Sequence, residues 1–266
     1  MTIDADLAGV PGTVSVWYGP LGGPPTYARL ADEPHYAAST MKVAVLAAVY
    51  RAVSDVDVPV EVHNEFRSAL DGAPTFGNRR DHDNDEEVWQ RLGDAVPLRW
   101  LARRMIVRSS NLATNLCLST VGIDEVAEVW RLAGAAHSVV SRGIEDRAAK
   151  EAGLENLVTA ADLAALLSAI ALATIADPER CREMLDVLLA QERREDLAAG
   201  LPPGTRIAHK NGWIRGIRHG AGVVFPADAP PYAVVCCTST GLPDAQACRL
   251  VTRVAAASWA DRHATA

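Results

Sequence analysis

Cysteine is scarce. Five are spread over 266 residues, too few for a disulfide-built scaffold, and the odd number leaves at least one thiol without an intrachain partner. Cys236 and Cys237 are adjacent in an apolar run, where small buried thiols are expected. Basic charge is also in deficit. The 26 Lys and Arg against 33 Asp and Glu give a formal charge of −7, which argues against a broadly basic nucleic-acid surface. Long hydrophobic runs are missing. The longest, 163–176, is interrupted by Ser168 and Thr174, and fourteen helical residues rise only about 21 Å, short of a bilayer core. The opening Met-Thr-Ile-Asp-Ala-Asp has neither the basic segment nor the apolar core of a secretory signal. The expectation is a cytoplasmic protein with no membrane and no nucleic-acid partner. No internal repeat or heptad run is seen, which leaves out solenoids and coiled coils. Asp81, His82 and Asp83 have metal-capable side chains without a closed ligand spacing, so a surface loop and no metal are expected there.

What is present is enough apolar residue, 49% against 22% charged, to bury a sizeable core. Residues 14–18 and 27–30 read as strands separated by the Gly/Pro-rich 19–25. Residues 41–53 read as a mostly apolar helix whose many β-branched residues need burial to hold it. The charged, His-bearing 71–94 reads as a surface excursion with a short helix over 86–92. Helices follow over about 97–107, 111–118, 124–132, 159–173 and 179–190, with Pro97 in a first turn and Thr159 with Asp162 forming a capping box. After Pro202-Pro203-Gly204 the pattern changes to strands over 206–210, 221–225 and 232–238 and a final helix over 245–260. Strands, helices, strands, helix is an α+β order. It predicts an antiparallel sheet lobe from 1–37 and 201–266, flanked by helices, and an all-helical lobe from 38–200.

Three short stretches carry chemistry. In Ser39-Thr40-Met41-Lys42 the hydroxyl and the amine lie three apart, on one helix face. They are either an ordinary helix start with a lysine after it, or a nucleophile with a base whose pKa is depressed by its apolar surroundings. Ser109-Ser110-Asn111 is either a helix cap or a pair in which Ser109 relays a proton and Asn111 holds a substrate amide. Lys210-Asn211-Gly212-Trp213 is either an Asn-Gly turn or a strand end. Read the second way, Lys210 positions a substrate carboxylate, Gly212 lets substrate lie against the strand, and the amides of Ser39 and Trp213 hold an oxyanion. His209 alternates with Lys210 and so faces away from such a substrate.

Taken together and in this order, the three stretches resemble the active-site serine penicillin-recognising enzymes, most closely the class A β-lactamase family, whose signature is Ser-x-x-Lys, Ser-Asp-Asn and Lys-Thr-Gly. The resemblance covers almost the whole chain. It implies the class A β-lactamase/transpeptidase-like fold, an active-site cleft between the two lobes and acylation of Ser39. Ser110 stands where the family has Asp, and Asn211 where it has a hydroxyl residue, although an amide can still donate to a carboxylate. The family often adds a cation beside that carboxylate, and Arg218 matches the position better than Arg215, two ordinary turn arginines being the other reading. The family also has an omega loop in which a glutamate and a nearby asparagine hold the deacylating water. Here 141–156 is shorter and has no Glu-x-x-x-Asn, so Glu145 is the best substitute and Asp146 the next. The resemblance therefore implies a cofactor-free serine hydrolase, monomeric or weakly dimeric, acting on a small molecule with a carboxylate. Its catalytic residues are Ser39, Lys42, Ser109 and Glu145, and its binding residues are Asn111, Lys210, Asn211, Gly212, Trp213 and Arg218. A carboxylesterase, peptidase-like hydrolase or transacylase with weak lactamase activity is the enzymatic alternative, and a non-catalytic binding protein the other.

Overall fold

The protein is described from a computed structural model over residues 3–264. The chain opens with helix α1 (Ile3–Leu7) and strands β1 (Gly12–Pro20), β2 (Tyr27–Arg29) and β3 (His35–Tyr36). A 3-10 turn over Ala38–Met41 then runs directly into α2 (Lys42–Ala52). The middle of the chain comprises β4 (Pro59–Glu61), α3 (Glu86–Trp89), β5 (Ala95–Pro97), α4 (Leu98–Val107), α5 (Asn111–Val121), α6 (Ile123–Leu132), α7 (Arg147–Glu151), β6 (Leu157–Val158), α8 (Ala160–Ala171) and α9 (Pro178–Leu189). It closes with β7 (Arg206–Ile214), β8 (Ile217–Phe225), β9 (Tyr232–Thr240) and α10 (Asp244–Ala260).

An antiparallel sheet in the order β2-β1-β9-β8-β7 joins the two ends of the chain, β1 pairing with β9 from Gly12↔Thr240 to Pro20↔Tyr232. Alternation along these strands splits the apolar residues between two cores. On the outer face Val14, Val16, Val234 and Cys236 pack with Leu250, Val251 and Val254 of α10 and with Leu7 of α1. On the inner face Trp17, Val223, Val235 and Cys237 join the core of the central helices. The adjacent cysteines thus face opposite ways, both fully buried and both free, with burial pushing each thiol up, Cys236 to about 12. Nine of the eleven residues of α2 are buried. This burial holds a helix whose β-branched sequence has modest propensity.

Several elements differ from the sequence reading. The strands over 206–214 and 217–225 are longer than expected, and the turn sits at Arg215-Gly216, where Gly216 takes φ +83°. The Asn211-Gly212 pair is therefore mid-strand. Glycine there answers a close approach, described below. The helix α7 and the small pairs β3–β6 and β4–β5 lacked any periodic signal. Only half of the expected capping box forms. Thr159 Oγ1 accepts from Asp162 N at 3.1 Å, but the Asp162 carboxylate instead receives three consecutive amides, from Ala136, His137 and Ser138, at 3.0, 2.9 and 2.6 Å. No helix among the described residues is long and apolar enough to cross a membrane.

Candidate active site

The α2 helix is buried along most of its length and carries Lys42 to a position with no exposed surface. A buried ammonium must be matched by acceptors. Lys42 Nζ donates to Ser109 O at 2.8 Å, Asn111 Oδ1 at 2.9 Å, Ser109 Oγ at 3.2 Å and Ser110 O at 3.4 Å. Burial pushes its pKa down to about 7, against the opposing pull of the Asp83 carboxylate. Ser39, one turn earlier, makes no side-chain hydrogen bond among the described residues. It lines a cleft of about 450 Å³.

The loop between α4 and α5 places Ser109 at φ +62°, fully buried. Its hydroxyl receives Lys42 Nζ at 3.2 Å and Lys210 Nζ at 3.1 Å. Two amines on one hydroxyl cannot both stay charged away from water. The Lys210 pKa is driven well below its ordinary value by burial and by Lys42. Asn111 is held on both sides, accepting from Lys42 and donating from Nδ2 to His82 O at 3.1 Å.

Gly212 explains itself by distance. A Cβ there would fall 2.8 Å from Ser39 N and 3.1 Å from Thr40 N, so only glycine lets β7 press against the start of α2. Trp213 follows and lines the cleft, its ring carrying the guanidinium groups of Arg218 and Arg193 at 5.4 and 5.7 Å. Five non-glycine residues among those described have positive φ; two of them, Ala38 and Glu145, line this cleft, and a third, Ser109, bonds Lys42. Backbone strain is thus concentrated where the chemistry-bearing groups meet.

Two candidates are turned elsewhere. Lys210 and Gly212 point toward α2, so Asn211 must point the other way. It is fully buried, with Nδ2 donating to Asp196 Oδ2 at 3.1 Å. Arg218 shares that face, pairing with Asp196 and Glu195 at 3.1 Å each and with Asp244 at 3.5 Å. The buried Asp196 thus occupies both groups expected to hold a carboxylate, and their expected place in the cleft is corrected accordingly. His209, also on that face, is buried, has no hydrogen-bond partner among the described residues, and is driven to about 3.

Glu145 does line the cleft with Ser39. Its Oε2 accepts from Arg79 N at 2.6 Å and its Oε1 from His82 Nδ1 at 2.8 Å. Asp146 instead caps α7 through Ala149 N at 3.2 Å and receives Ser68 Oγ and Ala69 N, both at 2.8 Å. Asn156 pins the neck of this loop, accepting from Ser141 N at 2.8 Å and donating to Arg142 O at 3.0 Å.

The β-lactamase enzyme family matches residues 1–261. The chain belongs to that family. Among solved structures, the β-lactamase of Sphaerobacter thermophilus DSM 20745 is 25% identical over 99% of this chain and 95% of its own, at a TM-score of 0.80. PBP-A is 21% identical over 97% and 93%, also at 0.80. A mutant of the class A β-lactamase of the last common ancestor of Gram-negative bacteria is 20% identical over 98% and 99%, at 0.83. The last two likenesses bear on fold alone, and the fold is that of class A β-lactamases. Comparison with curated proteins gives no match.

Within this β-lactamase fold, sequence reasoning missed Asp83. Its surroundings read as a surface excursion, yet its Oδ2 receives Ser110 Oγ at 3.2 Å, Asn111 N at 3.1 Å and Leu112 N at 2.8 Å. The signal was the absent carboxylate of the second motif, which implied a substitute from elsewhere. Asp196 was missed too, and the buried cation beside it, Arg218, was the clue. Lysine distribution was a third signal. The chain has three lysines, Lys42, Lys150 and Lys210. Lys42 and Lys210 meet at Ser109, and Lys150 lines the same cleft as Ser39.

Proposed function

We propose that this protein is a serine hydrolase of the class A β-lactamase type, opening a lactam or amide through an acyl-enzyme on Ser39. The observation that carries this reading is the Ser109 hydroxyl held between two lysine amines below the cleft that Ser39 lines. With a pKa near 7, Lys42 has a substantial neutral fraction at working pH. Its two remaining N–H groups serve the two shortest acceptors, Ser109 O and Asn111 Oδ1, and its lone pair takes the Ser39 proton. Ser39 Oγ bonds to the carbonyl carbon, and the amides of Ser39 and Trp213 receive the oxyanion. The C–N bond then breaks. Ser109 gives its proton to the leaving nitrogen and is resupplied by the Lys42 ammonium at 3.2 Å. Lys210 meets the substrate carboxylate, and that anion favours its charged form.

Water then cleaves the ester, with Glu145 as the carboxylate that takes its proton. A second reading is favoured by the two hydrogen bonds already on Glu145. A base occupied by Arg79 N and His82 slows hydrolysis, so the acyl group persists and can pass to another amine or hydroxyl. Timed intact-mass spectrometry with a penicillin tests both readings. Wild type gains the mass of the opened lactam, and Ser39→Ala, folded by circular dichroism, gains none. Labelling of the alanine variant at the wild-type rate removes Ser39 as the nucleophile.

A further inference from the structure

We infer, resting on that reading of Ser39, that the acyl group this cleft accepts carries its own negative charge, recognised by Arg147 and Lys150. The observation is an imbalance of used and unused charge on the loop wall. Glu145 is engaged by Arg79 N and His82, and Asp146 by Ser68, Ala69 N and Ala149 N. Arg142, also in the wall, is buried, with Nε on Leu154 O at 2.8 Å and Nη2 3.5 Å from Glu155. Arg147 and Lys150 remain. Both are solvent-facing, both line the cleft with Ser39, and neither has an acid within 4.0 Å among the described residues.

Their placement is coordinated. At i and i+3 on α7 they share one helix face. The Lys150 ammonium lies 5.5 Å from the centre of the Tyr36 ring, and Arg142 lies over the same ring at 6.0 Å. Tyr36 is two residues before Ala38 and lines the cleft itself. The two free cations therefore stand on the side of Ser39 that leads in from β3. Ser109 and Lys210 form a separate, fully buried group joined through Lys42. A substrate with its scissile carbonyl at Ser39 thus meets two separate sets of cations. Lys210 takes the carboxylate next to the leaving group, and the α7 pair takes one on the acyl group. His82, which also lines the cleft, is engaged with Glu145 through Nδ1.

Benzylpenicillin, ampicillin and carbenicillin test this, since they share one nucleus and differ at the acyl α-carbon by hydrogen, ammonium and carboxylate. The readout is the second-order rate of Ser39 modification by intact mass, at low ionic strength. Wild type should modify fastest with carbenicillin and slowest with ampicillin, the extremes differing by about tenfold or more, and the spread should shrink in about 0.5 M salt. The double variant Arg147→Glu with Lys150→Glu should reverse the order, a readout that survives any general loss of rate. Equal rates in wild type, or an unchanged order in the double variant, would overturn the inference while leaving Ser39 acylation intact. If none of the three modifies Ser39, the serine reading falls and this inference falls with it.

Discussion

Asp83 reaches from its own loop to Ser110, whose hydroxyl donates to Asp83 Oδ2 at 3.2 Å. The carboxylate that class A enzymes carry within their second motif is here delivered from 27 residues upstream. It also receives the amides of Asn111 and Leu112, at the first turn of α5. Asp83→Ala should therefore cost about 1–2 kcal/mol, the worth of a helix cap, by urea denaturation. Ser110→Asp in the same chain should recover part of that loss. An additive pair of effects would show that the two positions are independent.

Asp83 also favours the charged form of Lys42, which fixes a sign for the pH profile. Acylation should rise with pH through about 7 as Lys42 loses its proton. In Asp83→Ala the rise should move to lower pH, because the counter-charge is gone. Lys210→Ala should slow acylation but leave the midpoint in place, since burial and Asp83 set the Lys42 pKa. The check is the rate of adduct formation between pH 5 and 9.

The same lysine shapes stability. Its pKa is about 7 when folded and about 10.4 in an unfolded chain. Between these values the unfolded state binds more protons, so the Lys42 contribution becomes more favourable as pH rises, by up to about 1.4 kcal/mol per pH unit. The difference in unfolding free energy between wild type and Lys42→Met should therefore shift toward wild type from pH 7 to 10. Parallel curves for the two proteins would contradict the depressed pKa.

Gly212→Ala is expected to leave the sheet folded and to damage acylation. The new Cβ, 2.8 Å from Ser39 N, forces β7 and the start of α2 apart by a few tenths of an ångström or more. A displacement approaching 1 Å between donors and nucleophile is worth on the order of 100-fold in rate. Adduct formation measured beside a thermal melt separates the two effects. Wild-type acylation in this variant would mean that the contact has no part in positioning Ser39.

Glu145→Gln should lengthen the life of the adduct by about tenfold or more without a matching loss of acylation. The measurement is decay of the acylated mass after removal of excess penicillin. An unchanged lifetime would assign deacylation to another group.

The order of elements was legible because it follows from hydrophobic periodicity, which is local. The three motifs were legible because each is a short run whose members act within a few residues of one another. What escaped is long-range. Asp83, Asp196 and the pairing of His82 with Glu145 depend on where loops fold back. Asn211 was misplaced for a related reason. The motif gives the residue type, but strand alternation next to Lys210 decides its direction, and the strand extends further than its propensities suggested. Half of the capping box failed because the Asp162 carboxylate found three amides of an incoming loop instead of the backbone of its own helix turn.

The placement of the three lysines has a practical consequence. Lys42 and Lys210 are sealed from solvent, so an amine-reactive reagent finds Lys150 as the one exposed lysine. A succinimidyl ester would attach its cargo to Lys150, in the cleft that Ser39 lines. The wild-type sequence can therefore carry a fluorophore or tether that reports on occupancy, with no lysine first engineered away.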